Sequence, residues 1–145
     1  IDIDITARPP EYLHREERIV LPYQATELPR GTLITVRGRA IFSGRKLALS
    51  NGVVEVPFVD DGASGLVARW PLAESVDLRV VARFGGVVIR EPLGTEITSI
   101  ADALPKVVLE GAPRQVRLVE DEEGGDIPIR YEASDDHGLR EVHLV

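Results

Sequence analysis

The chain has no cysteine in its 145 residues. That removes disulfide bridges, thiolate nucleophiles and cysteine-ligated metal centres together. At 43% hydrophobic residues the chain has enough apolar material for a core. Aromatic rings are scarce, three Phe, three Tyr and a single Trp. No apolar run reaches the length of a membrane span and no leader pattern opens the chain, so none of this segment is expected to contact a membrane. Positive charge is short as well. The 17 Lys and Arg face 24 Asp and Glu, a net of -7 with a pI near 5.0. This opposes binding to nucleic-acid phosphates and to anionic lipid alike. Ile1 is not an initiator Met, and Val145 falls inside an apolar alternation. Both ends are therefore expected to continue into a longer protein.

What the sequence does have is period-two alternation. Ile1, Ile3 and Ile5 alternate with Asp2, Asp4 and Thr6, the signature of a half-buried strand. The runs TLITVRGRAIF from Thr32, RKLALS, VVEVPF, GLVARWPL, VDLRVVARF, GVVIREPL and TEITSI repeat it. Turn chemistry separates them. Asn51-Gly52 predicts a type I′ hairpin with both residues at positive φ, and Gly85-Gly86 a second tight hairpin. Pro29 with Gly31 marks another turn, and VDDGASG a longer loop. The best helix candidate, SIADALP, is short and stopped by Pro105. Short strands among 10 Pro and 13 Gly predict an all-β sandwich or barrel. Ile1, Ile3, Ile5, Ile34, Val36, Val54, Val56, Leu78, Val80 and Ile89 are its expected core. Trp70, alternating with Leu66 and Ala68, is expected inside it.

Near Pro105 the pattern restarts. Residues 1–104 form one expected module, and residues 105–145 the first part of a second. In the second, a first strand and a bend lead to Val116 and Leu118 facing Ile127, Ile129 and Tyr131 across an acidic loop, followed by a last strand. From Lys106 onward there are five basic and ten acidic residues, which holds most of the net charge. So few strands cannot bury both faces of a sandwich, so this part is expected to be truncated or completed by strand exchange.

The stretch SDDHG is the main site candidate. As a corner between strands, Asp135 and Asp136 accept bonds from nearby amides and Gly138 supplies positive φ. As a calcium site, Asp135 and Asp136 would be joined by Glu123 and Asp126, with Glu120, Asp121 and Glu122 nearby, to supply the six to eight oxygens the ion takes. Zinc finds a poorer set, because His137 and His143 are six apart and His14 is remote. Ser134 lies near His137 but has no strained elbow around it. Neither Gly85-Gly86 nor Gly124-Gly125 opens a phosphate loop. No convergent nucleophile, acid and base can be named from spacing, so no catalytic residue and no cofactor is assigned. Pro9-Pro10 predicts a rigid, extended approach to the sheet, with Tyr12 lying against it.

The N-terminal text ITARPPEYLHREERIVLPYQATELPRGTLITVRGRA and the C-terminal text PKVVLEGAPRQVRLVEDEEGGDIPIRYEASDDHGLREVHLV resemble the DUF4175 family of bacterial envelope proteins. The likeness lies in the PP-x-Y and P-x-G-T strings and in the final DD-x-GL-x-x-V-x-L string, where His137 stands in place of the usual aromatic. The resemblance implies tandem immunoglobulin-like modules on the periplasmic side, a parent protein anchored in the inner membrane, and no established activity. The function expected is then a non-catalytic spacer or protein-interaction module, paired with protein partners or with itself through sheet edges. The alternative is a ligand-binding accessory module, for calcium or for carbohydrate, in a larger enzyme or adhesin. Exposure of Trp70 beside Tyr23 or Tyr131 would favour the sugar.

Overall fold

The alternating runs become strands, and both layers of a sandwich can be followed along the chain. The computed structural model describes residues 2–39, 45–62, 65–111, 129–136, 138, 139 and 141–143. It divides into two units, Ile1–Asp102 and Ala103–Val145. The first unit contains β1 (Ile3–Arg8), β2 (Arg18–Val20), β3 (Thr26–Pro29), β4 (Leu33–Gly38), β5 (Lys46–Ser50) and β6 (Glu55–Pro57). It continues with β7 (Val59–Asp60), β8 (Leu66–Pro71), β9 (Val76–Phe84), β10 (Val87–Arg90) and β11 (Thr95–Ile100). One sheet has the order β2-β1-β4-β8-β7 and the other β3-β11-β9-β5-β6, with β10 also on β9. All described pairings are antiparallel except β3 with β11, which run parallel. The class is all-β.

Period two explains the core. On β4 the inward residues are Ile34 and Val36, on β9 Leu78, Val80 and Ala82, and on β5 Leu47 and Leu49. They meet Ile5, Ala7, Leu28, Trp70, Leu72 and Ile97 in one cluster that draws on both sheets. Each fully buried aliphatic side chain of this kind stabilises the fold by about 1.5–3 kcal/mol. Ile3 and Val56 pack against the cluster from its rim. Two expected core members lie elsewhere: Val54 is 52% and Ile89 53% exposed. Val54 belongs to a loop between β5 and β6, and Ile89 to a hairpin that runs past the covered part of its sheet. Ile1 lies outside the described residues.

The turns are built more by side chains than their dipeptides suggest. Asn51-Gly52 does not form a two-residue type I′ hairpin, because Ser50 pairs with Glu55 across a four-residue loop and only Gly52 has positive φ. Asn51 instead folds its side chain back, its Oδ1 accepting from the amides of Val53 at 3.0 Å and Val54 at 2.7 Å. An Asx turn of this kind needs no positive φ at Asn. Gly85-Gly86 is a two-residue hairpin, Phe84 pairing directly with Val87, and Gly85 alone has positive φ (57°), as in a type II′ turn. Pro29 to Thr32 turns with Gly31 at φ 83° and the Thr32 amide bonded to Pro29 O. A Cβ on Gly31 would stand 3.2 Å from Pro10, so the Pro9-Pro10 segment packs on this turn. Pro10 is extended (φ -54°, ψ 142°), but a 3-10 turn at Glu11–Leu13 follows, and Leu13 rather than Tyr12 is buried.

Strands β2, β3 and β7, each of four residues or fewer, have no counterpart among the period-two runs. SIADALP forms no helix: Ile100 ends β11 and residues 101–105 are irregular. The second unit has a two-stranded ribbon, β12 (Lys106–Glu110) with β13 (Arg130–Ser134), Leu109 opposite Tyr131. Tyr131 and its neighbours therefore pair with the first strand of the unit. Val116, Leu118 and Ile127 lie outside the described residues, and the expected last strand is absent over residues 141–143.

The break between β10 and β11 is held by one cation. Arg79 on β9 chelates the Asp77 carboxylate through Nε at 3.0 Å and Nη2 at 2.7 Å, and its Nη1 donates to Pro92 O at 3.1 Å. Gly94 sits against this pair, and a Cβ there would fall 1.7 Å from Asp77 Oδ1. Gly94→Ala must push the carboxylate off Arg79, and we expect a loss of about 1–3 kcal/mol by denaturant unfolding, the usual cost of overpacking. The loss should shrink when Asp77 is already Ala, which a double-mutant cycle reads directly.

Candidate interaction surface

Asp135 and Asp136 follow β13 directly, Asp135 half-buried and Asp136 in a turn, and Gly138 has φ 90°. Glu123 and Asp126, the other expected calcium ligands, lie outside the described residues, as do His137 and the rest of the acidic loop. Among the described residues no three His, Asp or Glu side chains group as a metal site. His143 is exposed and pairs with Glu141 at 3.0 Å. His14, at φ 49°, ends the 3-10 turn of the first unit.

Trp70 is 9% exposed and belongs to the inter-sheet cluster. Its small exposed part borders an open, largely apolar notch with Val54, Val56, Pro71 and Val76. A ring so covered offers no face for stacking on a sugar. The open groove lined by Asp2, Asp4, Tyr23, Arg37, Arg39 and Asp61 mixes both signs of charge.

Tyr23 holds the loop where the chain leaves one sheet for the other. Its backbone is left-handed at φ 62°, unusual for a bulky residue. Two bonds hold it there: its amide donates to Thr95 Oγ1 at 3.1 Å, and its hydroxyl donates to the Glu91 carboxylate. Nearby, Arg18 of β2 donates to Thr26 Oγ1 and to Glu27 O of β3, bridging the sheets. The hydrogen bond to Glu91, then burial, then the Glu91 charge push the phenol up to about 12 from its ordinary 10.0.

One departure from a covered surface is apolar. In the β9–β10 hairpin, Phe84, Val87, Val88 and Ile89 are all exposed. By register Ile89 opposes Ala82, which opposes Leu47 on the other side, so Ile89 shares the core-facing side of the sheet. Ala82 is covered and Ile89 is not, so the apolar side of this sheet runs on past the covered core. The sequence carried a signal for this in Val87-Val88-Ile89. Three consecutive apolar residues of a strand cannot all face one layer. The ribbon of the second unit is a second such place, with Val107, Val108, Leu109 and Tyr131 exposed. Comparison with family models, with curated proteins and with solved structures found no match to the chain.

The Tyr23 strut makes a pH prediction. Because the folded phenol titrates higher than the unfolded one, its contribution is fully present below pH 10 and is lost as pH rises toward 12. Thermal midpoints of the native chain should therefore fall more steeply over this window than those of Tyr23→Phe. Parallel curves would remove the strut from the stability of the fold.

Proposed function

We propose that the chain is a non-catalytic, immunoglobulin-like spacer and protein-interaction module of a bacterial envelope protein akin to the DUF4175 family, standing in the periplasm on a membrane-anchored parent. Strand order supports the immunoglobulin reading. Taking β1, β4, β8 and β7 as strands A, B, E and D gives one sheet, and β6, β5, β9 and β11 as C′, C, F and G gives the other. β2 and β3 are additions at the edges. Two departures are plain: there is no cysteine pair between the sheets, and the tryptophan lies on β8 rather than on the third strand.

The observation that carries the interaction reading is the β9–β10 hairpin, an apolar surface on an edge strand next to a tightly packed core. Contiguous apolar surface of this kind marks protein contact sites. The well-placed polar groups serve the scaffold: Arg18 and Tyr23 join the sheets, Arg79 holds the strand break, and Arg83 grips Glu55 at 2.7 and 2.8 Å.

A photo-crosslinking side chain at Ile89 should give a discrete protein adduct in envelope preparations, while one at exposed Glu16 gives none. Labelling that is equal at both sites, or absent at both, would count against the hairpin. Unfolding midpoints should be the same in calcium and in chelator. A rise with calcium would instead favour the accessory module, with Asp135 and Asp136 among the ligands.

A further inference from the structure

The ribbon of the second unit carries an order of charges that fits a copy of itself. β12 reads Lys106-Val107-Val108-Leu109-Glu110, and all five residues are exposed. One edge of β12 pairs with β13, and no other described strand pairs with it. Its two faces are unlike. Val107 and Leu109 share a side with their partners Ala133 and Tyr131, while Lys106, Val108 and Glu110 share the other with Ser134, Glu132 and Arg130. An amphipathic two-stranded ribbon is marginal alone and needs more strands over an apolar face.

We infer that β12 pairs antiparallel with β12 of a second copy of this chain, across a two-fold axis at Val108. In that register Lys106 stands opposite Glu110 of the second copy, twice by symmetry, and Val107 stands opposite Leu109. The result is a four-stranded sheet with β13 at each outer edge. Its apolar side runs unbroken through Tyr131, Leu109 and Val107 of both copies, and its other side has opposite charges in register. Parallel pairing in register would set Lys on Lys and Glu on Glu. The other apolar edge strand, β10, has no such symmetry: self-pairing of Val87–Arg90 would put Arg90 opposite Val87. A contact of this kind is isologous and closes as a dimer. The inference rests on the reading of sheet edges as the working surfaces of this protein. It is tested separately, because the Ile89 adduct concerns the first unit and the register below concerns only β12.

The lack of native cysteine makes the register measurable with single thiols. Directly opposed residues of an antiparallel pair have Cα atoms about 4.5–5.5 Å apart, within disulfide reach. In the full chain, Val108→Cys should give a covalent dimer under mild oxidation. Lys106→Cys should not, since its own copy would lie four residues along the strand, about 14 Å away. Cross-linking that is equal at both positions, or missing at Val108→Cys, overturns the inference. The charges are tested on the Val108→Cys background. Adding Lys106→Glu or Glu110→Lys should slow cross-linking by about tenfold for each variant alone. An equimolar mixture should recover it, because the carboxylate introduced by Lys106→Glu in one chain then meets the ammonium introduced by Glu110→Lys in the other. Recovery also shows that both variants are competent to pair; a mixture no faster than its components overturns the charge register.

Discussion

The length of β9 governs this molecule. Nine residues long, it takes β5 along one edge and both β11 and β10 along the other. Its inward positions supply Leu78, Val80 and Ala82 to the core, and the same alternation then delivers Phe84 to solvent. One strand therefore makes the sandwich cohere and also supplies part of the apolar surface left exposed at the β9–β10 hairpin. The last strand of the unit has to be broken so that both of its pieces can share that edge. Arg79, Asp77 and the absence of a side chain at Gly94 are how the break is accommodated.

Much of this layout can be read in the sequence, for a physical reason. Where one face is buried, period two is enforced residue by residue, so Ile5, Ile34, Val36, Leu78 and Val80 can be identified as core by counting alone. Counting fails at the ends of strands. Ile89 has the right parity, but parity gives the side of a sheet and not whether anything covers that side. Val54 sits in a run that looks like a strand, and the decision there is made by the Asn51 side chain, which captures two amides and turns the run into a loop. The short strands β2, β3 and β7 exist because neighbours already in place offer unpaired edges, a tertiary condition that no local window contains.

For the candidate site, the sequence showed the residue types but not their company. The buried state of Trp70 follows from its alternation with Ala68. Tyr23 gave no local hint at all, since its partners Glu91 and Thr95 lie about seventy residues further on. The acidity of the second unit is evident from composition, whereas the self-complementary order of Lys106 to Glu110 acquires meaning only once those residues are known to form an exposed strand.

The parallel pairing of β3 with β11 bears on mechanics. The chain enters β3 near Thr26 and leaves β11 near Ile100, at opposite ends of the paired segment. Tension transmitted along the backbone across this pair pulls the two strands past each other, so their hydrogen bonds share the load and fail together. In an antiparallel hairpin pulled at its open end, the bonds break singly, each in its turn. A module joined in this way resists stretching at the place where its third and last strands meet, and it does so without a covalent cross-link.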